Sequence, residues 1–210
     1  PVVISIPTDV LESEISSPPQ NRMSKVTAKS ASEDVKKVVE EISISKKPIL
    51  VVGGELQFSQ KSKTFVEKVS SKFSLPVLCT YEHQDLIDND DLHYAGELGL
   101  RPPEPVKKNA TEADLVICVG HRLNGVPNLG YTFPSERQKF IHVLPDANYL
   151  GKIFKTDLGI ISDSNHFLEH LLKIKITNNI ENRKKWIKTC HLRYKKNKST
   201  KPPRKSNDGL

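Results

Sequence analysis

The amino-acid sequence predicts a doubly wound, Rossmann-like α/β fold, a parallel sheet with helices on both faces. Three observations predict it. Short runs that are apolar at every position, such as Pro48–Val52 and the Leu-Val-Ile-Cys-Val within residues 113–120, recur along the chain. Between them lie stretches whose apolar residues fall at i, i+3, i+4 and i+7. Two of the apolar runs also stop at glycine, Gly53-Gly54 and Gly120. Strands apolar on both sides, alternating with amphipathic helices, belong to a sheet covered on both faces.

Each element follows in order. Residues 1–6 alternate β-branched positions and stop at Pro7, the pattern of an edge or terminal strand. Such a beginning suggests a piece of a longer polypeptide. Residues 12–31, rich in Ser, Pro, Gln, Asn and Lys, read as a linker. Ser32 then precedes a helical run carrying Val35, Val38, Val39 and Ile42 on one face. The strand Pro48–Val52 follows, then a helix from about Gln60 with Phe65, Val69 and Phe73 aligned, then a strand over residues 76–80. Residues 81–101 show no period and are predicted as a loop. A short helix over residues 105–111 leads into the strand of residues 113–120, the most strand-like segment of the sequence. The strand Lys139–Leu144, a short helix from Ala147, the strand Leu158–Ile161 and a helix bearing Phe167, Leu168, Leu171 and Leu172 complete the alternation. Beyond Ile176 the pattern reduces to one basic helix, about residues 182–196, with Trp186, Cys190 and Tyr194 on a stripe, and a terminal linker. The domain plan is therefore 1–11, 12–31, 32–176 and 177–210.

Composition excludes several function classes. No apolar run approaches the roughly 20 residues of a membrane span, and no basic, signal-like start is present. Three scattered cysteines, Cys79, Cys118 and Cys190, make neither a disulfide framework nor a zinc site, so a reducing cytoplasm is the expected compartment. The net charge of +7 is local, because residues 171–210 hold 13 of the 32 Lys and Arg but only 2 of the 25 Asp and Glu. Without aromatic interleaving this basic stretch reads as a solvated helix and linker, not as a specific nucleic-acid surface.

Candidate chemistry sits where strands end. In an open parallel sheet, ligands bind beyond the carboxyl ends of the strands, where strand order reverses. Gly53 and Gly54 would let the backbone approach a phosphate at a helix N-terminus, although Glu55 puts a negative charge there; a plain turn is the competing reading. Gly120, His121 and Arg122 end another strand. Arg122 offers a fork for a pyrophosphate or a partner for a carboxylate. His121 reads as a structural, hydrogen-bonded residue. Asp146 would accept from a ribose hydroxyl or cap the following helix. His166 and His170 share a helix face but lack further ligands and read as surface histidines. Asp85, Asp88, Asp90 and Asp91 do not fit a calcium loop and read as a solvated acidic turn.

Several segments carry a resemblance. Residues 1–11, Pro-Val-Val-Ile-Ser-Ile-Pro-Thr-Asp-Val-Leu, are similar to the run that closes the pyrimidine-binding domain of thiamine-diphosphate enzymes. Residues 48–54 resemble the opening strand of their central domain. Residues 75–80 with Tyr94-Ala-Gly-Glu-Leu-Gly99, residues 113–122 (Ala-Asp-Leu-Val-Ile-Cys-Val-Gly-His-Arg), residues 141–152 (Ile-His-Val-Leu-Pro-Asp-Ala-Asn-Tyr-Leu-Gly-Lys) and residues 157–171 resemble later stretches of that domain, in order. The chain thus resembles the central domain of an acetolactate synthase-like, thiamine-diphosphate-dependent enzyme.

That resemblance implies decarboxylation or carboligation of 2-oxo acids by a homodimer or homotetramer. It implies thiamine diphosphate and Mg²⁺ held by N- and C-terminal domains outside these residues, so no catalytic or metal-binding residue is expected here. The central domain is implied to be a scaffold whose crevice holds FAD or ADP at positions matching Gly53, Gly54, Gly120, Arg122 and Asp146. The synthases' arginine-rich run is here Arg122-Leu-Asn-Gly-Val, and Leu144 and Glu55 replace an aspartate and a glycine. The Arg-Leu-Asn run is closer to oxalyl-CoA decarboxylases. The alternative is a non-catalytic module binding FAD, ADP or CoA, or a structural piece with an empty crevice.

Overall fold

The computed structural model describes residues 3–17, 24, 26–175 and 183–198. Its centre is a six-stranded parallel sheet of β1 (Pro48–Val52), β2 (Val77–Thr80), β3 (Tyr94–Leu98), β4 (Leu115–Val119), β5 (Lys139–Leu144) and β6 (Leu158–Ile161). The strand order is β3-β2-β1-β4-β5-β6, and every neighbouring pair is parallel. The predicted doubly wound α/β class is the one observed.

The strand composition explains the two layers. Side chains alternate across a strand, so Leu50 and Val52 of β1 face one side while Ile49 and Val51 face the other. Helices α2 (Ser32–Ile44), α3 (Ser62–Phe73) and α5 (Ser164–Lys173) cover the first side with Val35, Val38, Val39, Ile42, Val66, Val69, Phe73, Phe167, Leu168 and Leu171. Helices α4 (Glu104–Thr111) and α6 (Lys184–Lys198) cover the second with Val106, Ala110, Trp186 and Cys190. All of β1, β2 and β4 is buried.

Three expectations are corrected. Residues 3–6 form no strand; they precede a four-residue helix, α1 (Thr8–Leu11), and Val3 is 90 % exposed. A strand needs a ladder partner for its N–H and C=O groups, and among the described residues these have none. The predicted loop of residues 81–101 contains β3. Its Gly96 sits at φ +114° where a Cβ would come within 2.8 Å of Val106, and the pairing with β2 shifts register between Val77 and Leu78. A glycine and a glutamate in a five-residue strand remove the alternation that sequence reading relies on.

The basic helix, third, is not simply solvated: Trp186, Ile187, Cys190 and His191 are buried, and Trp186 Nε1 donates to Pro48 O at 2.9 Å. Its lysines face out while its apolar stripe covers β3 and α4.

Side chains close the helix ends at the bottom of the sheet. Buried Arg183 donates to Phe73 O and Ile42 O, the C-terminal carbonyls of α3 and α2. Lys72 Nζ donates to Leu172 O at 2.6 Å and Ile174 O at 2.7 Å at the end of α5, and Gln138 Nε2 donates to Ala110 O at 2.8 Å and Ala113 O at 2.9 Å after α4. Orphan carbonyls at helix C-termini need such donors. The cysteines Cys79, Cys118 and Cys190 are free and buried, and burial pushes all three thiols up, Cys190 to about 12. No described helix is long and apolar enough to cross a membrane.

Candidate functional site

Strand order reverses between β1 and β4, so the crevice of a doubly wound sheet opens where these two strands end. Gly53 and Gly120 stand at that point. Their backbones are stitched together: Gly53 N donates to Val119 O at 3.2 Å, Glu55 N to Gly120 O at 3.0 Å, and Gly120 N to Val143 O at 3.1 Å. The element after Gly53 is a five-residue 3₁₀ turn, Gly54–Phe58, in place of a long helix N-terminus.

The glycines are explained by crowding. A Cβ on Gly53 would lie 2.5 Å from His121 Cβ and 2.7 Å from Thr80 Oγ1. One on Gly54 would meet His83 Nε2 at 3.0 Å. Gly120 has φ +74°, a left-handed conformation that side chains oppose, and a Cβ there would sit 2.9 Å from Ser164 Oγ.

Three imidazoles, those of His121, His142 and His83, gather at this centre. His121 Nδ1 accepts from Leu123 N at 2.9 Å, which places its proton on Nε2. Burial first, then the neighbouring His83, His142 and Arg122, lower its pKa to about 4. His121 is therefore neutral near pH 7 and is the hydrogen-bonded structural residue expected of it. Its carbonyl accepts from His142 Nε2 at 2.9 Å. His83 Nδ1 donates to Tyr81 O at 2.5 Å.

Charge appears on the β4–β5 side. Arg122 is exposed and forms no ion pair among the described residues; its Cζ lies 3.7 Å from the ring centroid of Tyr149. Lys152 Nζ approaches the same ring at 5.5 Å. Asp146 Oδ1 accepts from Asn148 N at 2.9 Å and so caps the short turn Ala147–Tyr149 that presents the ring. The structure thus links Asp146 to Arg122 through Tyr149. Tyr149 and Lys152 were not singled out from the sequence, and only the basic–aromatic spacing in residues 149–152 could have drawn attention to them.

The remaining candidates lie elsewhere. His170 sits within 3.0 Å of Ser30 Oγ and 3.3 Å of Ser32 Oγ, so it latches the chain before α2 onto α5, and it is part-buried like His166. Asp88 Oδ1 and Asp91 Oδ1 accept from Asp90 N and His93 N at 2.9 and 2.7 Å, the bonds of a turn. Among the described residues no group of three His, Cys, Asp or Glu could hold a metal ion.

Residues 35–171 match the family model of the thiamine pyrophosphate enzyme, central domain. The chain belongs to that family. Among its relatives is the acetolactate synthase large subunit of Lactococcus lactis, 30% identical over 194 residues, covering 90% of this chain and 33% of that protein. The glyoxylate carboligase of Escherichia coli O157:H7 is 25% identical over 201 residues, covering 92% of this chain and 34% of that one. The crystal structure of benzoylformate decarboxylase from Polynucleobacter necessarius superposes with a TM-score of 0.64 at 20% identity, over 83% of this chain and 33% of that chain, and so shares the fold. This central domain spans about a third of the length of the curated relatives it matches.

Proposed function

We propose that the chain is the central scaffold of a larger, acetolactate synthase-like enzyme that decarboxylates or joins 2-oxo acids with thiamine diphosphate and Mg²⁺. The observation that carries this reading is the match of residues 35–171 to the central-domain model in a chain a third as long as its relatives. Residues 32–176 form the domain proper, residues 1–11 close a preceding domain, residues 12–31 link the two, and residues 177–210 lead toward a following one. The cofactor supplies the electron sink for cleavage beside the carbonyl. The residues here hold the scaffold in shape. The whole enzyme works as a homodimer or homotetramer in the cytoplasm. An assay of the full gene product tests this: carbon dioxide release from 2-oxo acids that depends on both thiamine diphosphate and Mg²⁺ is expected. No dependence on either across a panel of such acids overturns it.

We further propose that the open side of the crevice takes the diphosphate of a nucleotide, FAD or ADP. Support comes from the exposed Arg122 and Lys152 beside Tyr149, two cations with no carboxylate partner among the described residues. An exposed guanidinium already ordered on a ring is suited to bidentate contact with a diphosphate. Gly53, Gly54 and Gly120 contribute shape more than N–H donors, since two of their three N–H groups bond to backbone. Arg122→Ala is expected to weaken ADP binding about tenfold in calorimetry, the scale of one lost charge-assisted hydrogen bond. Unchanged affinity, or no ADP or FAD binding by the parent, refutes the site.

A further inference from the structure

Each glycine at the switch point has its bare face covered by a side chain of the same protein. A Cβ on Gly54 would lie 3.0 Å from His83 Nε2 and 3.3 Å from its Cε1, so the imidazole rests against that face. His121 Cβ and Thr80 Oγ1 cover Gly53 in the same way at 2.5 and 2.7 Å, and Ser164 Oγ and Glu55 Cβ cover Gly120 at 2.9 and 3.3 Å. A glycine serves a phosphate by leaving its face and its N–H open to the ligand. Here the faces are filled, and Gly53 N, Glu55 N and Gly120 N are bonded to Val119 O, Gly120 O and Val143 O. Glu55 brings a carboxylate to the same turn.

His83 is held in its place from several directions. Its N donates to Thr80 O at 3.1 Å, its Nδ1 donates to Tyr81 O at 2.5 Å, and its carbonyl accepts from the N–H of buried Leu86 at 3.2 Å. Glu82 N donates to Glu97 Oε1 at 3.1 Å, which ties the turn to the edge strand β3. The turn after β2 therefore carries the ring over Gly54 as part of the framework.

The two sides of the switch point are unlike. Toward β5, Arg122, Tyr149 and Lys152 present an open cationic margin. Toward β2, the His83 ring closes the space beside Gly54. A dinucleotide lies across the switch point and needs both sides, whereas a mononucleotide needs one.

We propose that His83 is a specificity-determining residue: by filling the face of Gly54 it limits the crevice to one nucleotide on the β4–β5 side and shuts out the flavin half of FAD. The inference rests on the nucleotide reading of the Arg122 margin and narrows it to ADP.

Titration calorimetry of the 210-residue chain with ADP and with FAD tests it, with flavin fluorescence as a second readout of FAD. The parent is expected to bind ADP at least about a hundredfold more tightly than FAD, and His83→Ala should reduce that ratio about tenfold or more. His83→Gln, which refills the space, should keep the parent's ratio; a variant that had merely lost its fold would bind neither nucleotide. A parent that binds FAD as tightly as ADP overturns the inference and leaves the nucleotide site standing. A ratio unchanged in His83→Ala also overturns it, because the exclusion then lies elsewhere. No binding of either nucleotide by the parent and by His83→Ala overturns the nucleotide reading and this inference together.

Discussion

At Gly53 the backbone of one strand end passes so close to Thr80 and His121 that no side chain fits. The same crowding keeps His121 neutral, and this has a consequence for stability. A histidine held below its ordinary pKa of ~6.5 binds fewer protons folded than unfolded. Its contribution to stability is complete above the unfolded value and is lost as pH falls toward the folded value of about 4. Protonated Nδ1 would also set a donor against the Leu123 N–H. Burial lowers the His142 pKa too, so both imidazoles act in the same direction. Urea unfolding at pH 7, 5.5 and 4.5 is expected to show falling stability, with the His121 part on the order of 3 kcal/mol over the full window. In His121→Asn the slope should flatten. An equally steep slope in the variant would assign the loss to other groups.

Among the elements, Arg183 closes the sheet's lower end. Its guanidinium is buried, forms no ion pair among the described residues although the Asp114 charge favours it, and donates to the last carbonyls of α2 and α3, where helix dipoles present partial negative charge. Burial lowers its pKa, but an arginine remains charged. Arg183→Met keeps most of the apolar stem and leaves two buried carbonyls unpaired, so a loss of about 2–5 kcal/mol is expected in denaturant unfolding. A loss below about 0.5 kcal/mol would mean that water replaces the guanidinium freely.

This element also shows how far the sequence could be read. The apolar runs of β1, β2, β4 and β5 and the faces of α2, α3 and α5 were legible because burial on two sides, or on one helical stripe, leaves a period. β3 was not, because Gly96 and Glu97 answer to the packing of α4 and to the strand's edge position. Nor was the docking of α6, where lysines outnumber the Trp186 and Cys190 stripe that anchors it. At the crevice, Gly53, Gly120, Arg122 and Asp146 were placed at strand ends from sequence, whereas the Arg122–Tyr149 stack is a contact between two loops that no local pattern encodes.

For the whole molecule, the fold assembles a rigid doubly wound layer whose strand ends are bonded to one another and whose described residues gather no metal-ligating cluster. Family membership supplies the context of a thiamine pyrophosphate enzyme's central domain, and the described geometry supplies a sheet with one open, basic margin at Arg122 and Lys152. The proposed function places thiamine diphosphate and its chemistry outside these residues. Titration calorimetry of the 210-residue chain with thiamine diphosphate and Mg²⁺ tests it most directly. The account predicts no saturable heat at millimolar cofactor; one-to-one binding in the micromolar range, with carbon dioxide released on adding a 2-oxo acid, would contradict it.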